Sequence, residues 1–251
     1  MKIVIVGSGN IAHYFGLKLL QSEHTLLQVY SPNIVNAEHL ARLLHCDFTN
    51  ELHQLKEADM YLLAVKDDVV ISILQHGLFT DKLWVHTAGS LSINQLLPYV
   101  AHVGSIWCLY SIHKKHLPTR TDIPLLINAS NTSSLQVVQE IAAYISLTVV
   151  PMTDEKKAIT HLAAVFANNF SNYVFSIAAD IVTKENIPFA LLLPLIENTV
   201  EKLHFANPED LQTGPSIRKD TLTIEKHLNY LANTRAYTEI YETFNKLIQE
   251  K

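Results

Sequence analysis

Lys2-Ile3-Val4-Ile5-Val6-Gly7-Ser8-Gly9-Asn10-Ile11-Ala12 begins as a run of β-branched residues and breaks directly into a GxGxxA turn. β-Branched side chains crowd a helix and pack well on a pleated surface, so 2–6 reads as a strand covered on both faces. The small residues that follow have separate tasks. Gly7 admits a tight turn, Gly9 lets the backbone approach a pyrophosphate, and Ala12 lets the next helix lie close on the strand. That helix would present its N-terminal N–H groups and the positive end of its dipole to the phosphates. Gly7, Ser8, Gly9, Asn10 and Ile11 are therefore candidate dinucleotide-binding residues.

Outward from this turn, β-rich runs at 2–6, 25–30, 60–65, 83–86, 103–107, 125–128 and 148–150 alternate with helical patterns at 11–20, 36–44, 69–75 and 134–144. Such alternation predicts the α/β class, a Rossmann-type doubly wound, mostly parallel sheet covered by helices. After Pro151 the strand signals stop. Helices are expected over 155–184, 188–204, 221–233 and 235–249, with Pro194 kinking or shortening the second. The expected division is 1–152, binding NAD(P), and 153–251, an all-helical domain for substrate and dimerisation.

Composition removes several function classes. With 48% hydrophobic and 17% charged residues the chain is well outside the disordered range, and its net charge of −5 offers no basic block for nucleic acid. Cys46 and Cys108 lie far apart with no CxxC, which fits a reducing compartment and no zinc knuckle. The apolar run before Gly7 is too short for a signal peptide, so a cytoplasmic protein is expected. The stretch 158–179 carries no Asp, Glu, Lys or Arg, yet Asn168, Asn169, Ser171 and Asn172 sit in its middle. Such a cluster is costly in hydrocarbon, so no membrane span is expected, and the stretch reads as a buried helix whose burial suggests a homodimer.

The second strand ends in Tyr30-Ser31-Pro32-Asn33, where an NAD site would carry an acid for the ribose 2′-hydroxyl. No carboxylate stands there to repel a 2′-phosphate, and Ser31 and Asn33 can donate to one. NADP is favoured over NAD, although no Arg grips the phosphate. The missing acid also weakens a flavin or S-adenosylmethionine reading. Further strand ends supply more wall: Ala64, Val65 and Lys66 after the 60s strand, then Thr87 and Ser90 in His86-Thr87-Ala88-Gly89-Ser90. Lys66 can reach a ribose or a substrate anion, and the amides around Gly89 and Ser90 can face a developing oxyanion; ordinary turn chemistry is the competing account.

At 100° per residue, His161, Asn168 and Asn172 fall within an arc of about 40°. A polar stripe on an apolar helix either bonds other protein or lines a wet cleft. His161 could carry the proton that accompanies hydride transfer, and Asn168 and Asn172 could orient a carbonyl. In Thr213-Gly214-Pro215-Ser216-Ile217-Arg218-Lys219-Asp220, Arg218 offers a fork for a carboxylate or phosphate, while Asp220 caps a helix or holds Arg218; a plain capped loop with Thr213 in it competes. Two patterns are set aside. Tyr110 to Lys114 matches YxxxK without a long helix or TGxxxGxG, and His113 with His116 lacks an acidic or cysteine companion, so no metal site is expected.

Taken in order, GSGNIA, AVKDD, HTAGS, HLAAVFANNFSN and TGPSIRKD resemble a bacterial family of NADP oxidoreductases that joins a Rossmann-like domain to a helical C-terminal domain of unknown function. More distantly the layout is similar to pyrroline-5-carboxylate reductase, ketopantoate reductase and the 3-hydroxyisobutyrate and 6-phosphogluconate dehydrogenases. The resemblance implies a 6-phosphogluconate-dehydrogenase-like helical domain, reduction of C=O or C=N bonds with a nicotinamide cofactor, and dimerisation through the helical domains. It also exposes a departure. The hydroxyacid dehydrogenases carry a catalytic Lys one turn before an Asn on the first helix of that domain, whereas here Ala164 precedes Asn168. His161 is the nearest replacement on that face. The expected reaction moves hydride between NADP and a small anionic substrate, with His161 giving the proton, Asn168 and Asn172 orienting the substrate and Arg218 binding its anionic end. A non-enzymatic dinucleotide-binding sensor or scaffold is the alternative, and a methyltransferase the weakest reading.

Overall fold

In strand β1 (Lys2–Val6) Ile3 and Ile5 enter one apolar cluster and Val4 and Val6 another, because successive side chains point to opposite faces. All four are fully buried, which requires a central strand covered on both sides. The computed structural model describes residues 1–250. After β1 come α1 (Asn10–Leu19), β2 (Thr25–Tyr30), α2 (Ile34–Leu44), β3 (Asp47–Thr49), β4 (Met60–Leu63), α3 (Asp67–Leu74), β5 (Leu83–His86), β6 (His102–Cys108), β7 (Leu125–Ala129), α4 (Thr132–Ile145), β8 (Val149–Pro151) and α5 (Asp154–Ala164).

The strands form one sheet in the order β3-β2-β1-β4-β5-β6-β7-β8. Every pairing is parallel except β6 with β7. The expected doubly wound architecture is therefore present. Phe15, Leu19, Leu40, Leu44, Val138 and Ile141 from α1, α2 and α4 close one face over Ile3 and Ile5. Val70 and Ile73 of α3, with Tyr61, Trp84 and Leu96, close the other. The chain winds outward from β1 to β3 and returns to β4 on the other side of β1, so the winding reverses between β1 and β4. Open α/β sheets leave their ligand crevice beyond the carboxyl ends at such a switch point.

Compactness divides the chain into Met1–Ala167 and the residues from Asn168 on, which puts α5 and His161 in the first unit. The second unit holds α6 (Ser171–Lys184), α7 (Leu193–Lys202), α8 (Thr221–Leu231) and α9 (Arg235–Gln249). Within it Tyr230 and Tyr237 donate to Glu185 and Asp180, and His227 bonds Tyr241 across α8 and α9.

Several expectations need correction. β3 gave no signal, being three residues long with Asp47 and Phe48 exposed. The helix expected over 155–184 is interrupted by a π segment, Val165–Phe170. Of the two outcomes expected at Pro194 the helix is shortened and not kinked: a 3₁₀ turn, Phe189–Leu192, comes first and α7 starts with Pro194 in its first turn, where a missing N–H is harmless. The stretch 158–179 is not buried by its own chain, since Ile159 is 70%, Leu162 59% and Tyr173 53% exposed. An uncharged sequence reports what a helix avoids, not which surface covers it. Among the described residues no helix is long and apolar enough to cross a membrane.

Sheet and α4 meet so closely at Gly104 that a Cβ there would lie 2.5 Å from Val138 Cγ2 and 3.3 Å from Val85 Cγ2. Gly104→Ala is therefore expected to cost about 1–3 kcal/mol by overpacking. Combining it with Val138→Ala should recover at least about 0.5 kcal/mol relative to the sum of the single changes. Denaturant unfolding of the four proteins checks this, and strict additivity would refute the packing account.

Candidate active site

Gly7 has φ +123°, and a Cβ on it would lie 2.2 Å from the Ala64 carbonyl oxygen. Only glycine meets both demands. Its N–H bonds the Tyr30 carbonyl, and the Ala64 N–H bonds Val6, so the turn is pinned between β2 and β4. At Gly9 the situation is opposite: a Cβ would meet nothing within 4 Å. Gly9 caps α1 without a side-chain bond, and the first turn of that helix carries no acid. The result is open space over N–H groups that the chain itself does not cap, which fits a dinucleotide pyrophosphate. Asn10 Oδ1 accepts from the Lys114 N–H at 3.1 Å, drawing the 110s loop to the same turn. That loop holds Tyr110 and Lys114 outside any helix, and His113 faces His116 in an isolated β-bridge.

Beside it, Ser8 Oγ donates to Ser31 Oγ at 2.8 Å. Ser31 is buried, and its own hydroxyl hydrogen is left to donate elsewhere. Asn33 caps α2 by accepting the Asn36 N–H on Oδ1, and the first turn of α2 has no acid. Both donors proposed for a 2′-phosphate thus stand at one helix start. Ala64 is buried against Gly7, exposed Lys66 caps α3, and Thr87 Oγ1 is committed to the Leu63 carbonyl at 3.2 Å. Ser90 Oγ donates to Asp67 Oδ2, which takes its hydroxyl hydrogen away from any substrate.

His161 is half-buried in the first unit over the turn that follows β5. A Cβ on Gly89 would lie 2.7 Å from His161 Cδ2, 2.8 Å from Trp107 Cε2 and 2.9 Å from Trp107 Nε1. The His161 and Trp107 rings are 5.4 Å apart and inclined at 55°. Because β1, β4, β5 and β6 run parallel, the glycine turn, Gly89 and Trp107 all belong to the same carboxyl edge of the sheet. The sequence reading missed Trp107, and missed more behind it. Lys157 is 1% exposed and pairs with Asp154 at 3.0 Å. Burial pushes the Asp154 carboxyl up, but hydrogen bonds from Ser92 and Lys157 outweigh it and hold the group below the usual range. His86 is fully buried with neither ring nitrogen bonded; burial, aided by Lys157, pushes it down to about 3. The one available signal was position: Lys157 stands four residues before His161, on the same helix face.

The other proposed residues lie in the second unit. The π segment changes the angular step between 161 and 172, so the 40° stripe computed for a uniform α-helix does not describe His161, Asn168 and Asn172. Asn168 and Asn172 are both exposed. Asp220 takes the capping role: it accepts from the Thr223 N–H and hydroxyl, and that hydroxyl holds its carboxyl below the usual range. Arg218 and Thr213 are exposed in the turn before α8, and Arg218 makes no ion pair within 4.0 Å among the described residues. No group of three or more His, Cys, Asp or Glu among the described residues is arranged to hold a metal.

Comparison with known proteins adds the following. A domain of unknown function, DUF2520, matches residues 123–248, and a domain described as NADP oxidoreductase, coenzyme F420-dependent, matches residues 2–88. A Bacteroides fragilis protein provisionally named an NADP oxidoreductase is 34% identical, with 100% of this chain and 98% of that one covered and a TM-score of 0.93. A Streptococcus pyogenes 1-pyrroline-5-carboxylate reductase is 16% identical over 100% and 99% of the two chains, with a TM-score of 0.64. An Aspergillus terreus reductive aminase, solved with NADPH, is 14% identical over 99% and 92%, with a TM-score of 0.71. The last two likenesses concern the fold. Comparison with curated proteins returns no match.

His86 makes the acid response testable. Its native value is about 3 against an ordinary 6.5, so on acidification the unfolded chain takes a proton that the folded chain refuses. Stability is then lost progressively as pH falls from about 6.5 towards 3, at about 1.4 kcal/mol per pH unit for this group. His86→Leu removes that term, and its unfolding free energy between about pH 6 and pH 4 should fall less steeply than the wild type by that amount. Equal slopes would show that His86 does not stay neutral in the fold.

Proposed function

We propose that this chain, which belongs to the DUF2520 family, moves hydride between NADP and a C=O or C=N bond of a small anionic substrate. It is an NAD(P)-dependent oxidoreductase with an N-terminal NADP oxidoreductase domain. The observation that carries the finer reading is the placement of His161 over Gly89 on the same carboxyl edge as the Gly7–Gly9 turn. Residues 1–152 would serve as the cofactor domain and 153–251 as the substrate and dimerisation domain.

Gly7, Ser8, Gly9, Asn10 and Ile11 would hold the pyrophosphate, with Ala64, Val65, Lys66 and Thr87 as the neighbouring wall. Ser31 and Asn33 would receive the 2′-phosphate, and this supports NADP over NAD. The nicotinamide supplies or accepts the hydride when bound. His161 then delivers the proton to the substrate oxygen or nitrogen, or takes it back in the reverse direction. By their chemistry, Asn168 and Asn172 would act as orienting carboxamides and Arg218 as the fork for an anionic group. Ser90, whose hydroxyl is given to Asp67, contributes at most backbone groups; Thr213 has its carbonyl bonded by Gln212 and keeps its hydroxyl for a substrate, and Asp220 supports the turn that carries Arg218. Exposed Ile159, Leu162 and Tyr173 support a homodimer through the C-terminal helices.

Thermal unfolding with NADPH, NADH, NADP⁺ and NAD⁺ checks the cofactor. A ligand at 100 times its dissociation constant adds about 2.7 kcal/mol, a rise of several degrees for a chain of this size. NADPH should shift the midpoint more than NADH. Asn33→Asp keeps a good helix cap but places a carboxylate by the 2′-position, and should reverse that order. No shift with any nicotinamide would overturn the reading. In turnover of C=O and C=N substrates, His161→Gln should lower the rate by about 10²–10⁴ while keeping the NADPH shift. Unchanged turnover would remove His161 from the mechanism.

A further inference from the structure

Burying an ammonium group costs free energy that its surroundings must offset. In the first unit Lys157 is such a group. Beyond Asp154, Lys157 Nζ donates to the Leu91 carbonyl at 2.9 Å and lies 3.5 Å from Ser105 Oγ on β6. The second Asp154 oxygen accepts from Ser92 Oγ at 2.7 Å and from the Ile93 N–H at 2.8 Å. The first turn of α5 is thus fastened to Leu91, Ser92 and Ile93 and to β6. His161 sits one turn further along the same face. Its own supports are Gly89, two residues before Leu91, and Trp107, two residues after Ser105. Clamp and imidazole therefore share both of their supporting segments.

Stability alone is a poor reason for this pair, because well-packed apolar residues of similar volume often serve as well or better than a buried ion pair. What the charges add is direction, through bonds of fixed length to three backbone or side-chain groups of one loop. We infer that Asp154 and Lys157 are positioning residues that hold His161 in register against Gly89 and Trp107, and so fix where the imidazole presents its proton. The role of the proton rests on the function proposed above; the register does not, and can be tested without a substrate.

A protonated imidazole quenches a neighbouring indole, so Trp107 is a built-in reporter of His161 at 5.4 Å. Trp84 is the other tryptophan, and Trp84→Phe leaves a single emitter in the full-length chain. In that background, emission should drop when acid puts a proton on the imidazole, and His161→Gln should abolish the drop. The titratable groups on the elements packed against His161 are Asp154, Glu155, Lys156 and Lys157 on α5, His86 on β5 and His102 on β6; His161→Gln leaves all of them in place, so a drop that it abolishes belongs to His161. His86 is kept neutral by burial, and His102 stands at the far end of β6 from Trp107.

The deciding variant is Asp154→Asn with Lys157→Met, which removes both charges together and leaves neither alone in the interior. It should unfold at a midpoint near that of its parent yet lose the drop. Ser92→Ala, which deletes one of the bonds and leaves the ion pair, should reduce it. A full drop in the folded double variant overturns the inference. If the double variant does not fold, a full drop in Ser92→Ala does so instead. Failure of the proposed reaction has a different signature: His161→Gln would keep its turnover whatever the emission does.

Discussion

A β-carbon on Gly7 would lie 2.2 Å from the carbonyl oxygen of Ala64, so the end of β1 can pass the end of β4 only where no side chain stands. Everything on the carboxyl edge of the sheet follows from it. Because β1 can end against β4 without a side chain between them, α1 starts only three residues beyond the strand, with its first turn open. Ser8 is brought within bonding distance of Ser31, so the ends of β1 and β2 are tied by hydroxyls where other dinucleotide sites place an acid. A larger residue at position 7 would push β1 and β4 apart at the switch point and dissolve the crevice along with the turn.

Away from that edge, the interior of the first unit is kept free of charge. Burial pushes Cys108 and Tyr14 up to about 12 and His86 down to about 3, so thiol, phenol and imidazole are all neutral near pH 7. Lys157 and Asp154 are the exception, and they are answered by each other and by the loop that supports His161. Ion pairs such as Arg42 with Glu38 and Arg235 with Glu239 join exposed side chains and contribute little.

The parts of this fold that were legible in the sequence are those in which one residue carries a local constraint. Gly7 and Gly9, the β-branched run before them, and the acid-free Ser31-Pro32-Asn33 each state a backbone or charge requirement that nearby residues cannot change. Pairing and burial are different, because they depend on distant partners. β3 escaped notice because three exposed residues carry no period. Lys157 reads as a surface lysine until Leu91, Ser105 and Asp154 close round it, and Gly89 reads as a turn until His161 and Trp107 are seen on its α-carbon. The stripe through His161, Asn168 and Asn172 is lost for a third reason: the angular step changes at the π turn, and nothing in Val165-Phe166-Ala167-Asn168-Asn169-Phe170 announces one.

The two rims of the sheet are built alike in one respect: β3 and β8 have three residues each. On β8 the last is Pro151, which has no N–H to offer, and the next N–H, on Met152, already bonds the Ile127 carbonyl. On β3 the first is Asp47, held in an ion pair with Lys56 at the margin of the sheet. A strand from a second molecule would find a short ladder at either end, blunted by a ring on one side and by charges on the other. The sheet is thereby closed to edge-to-edge growth, a safeguard against aggregation that eight paired strands would otherwise lack.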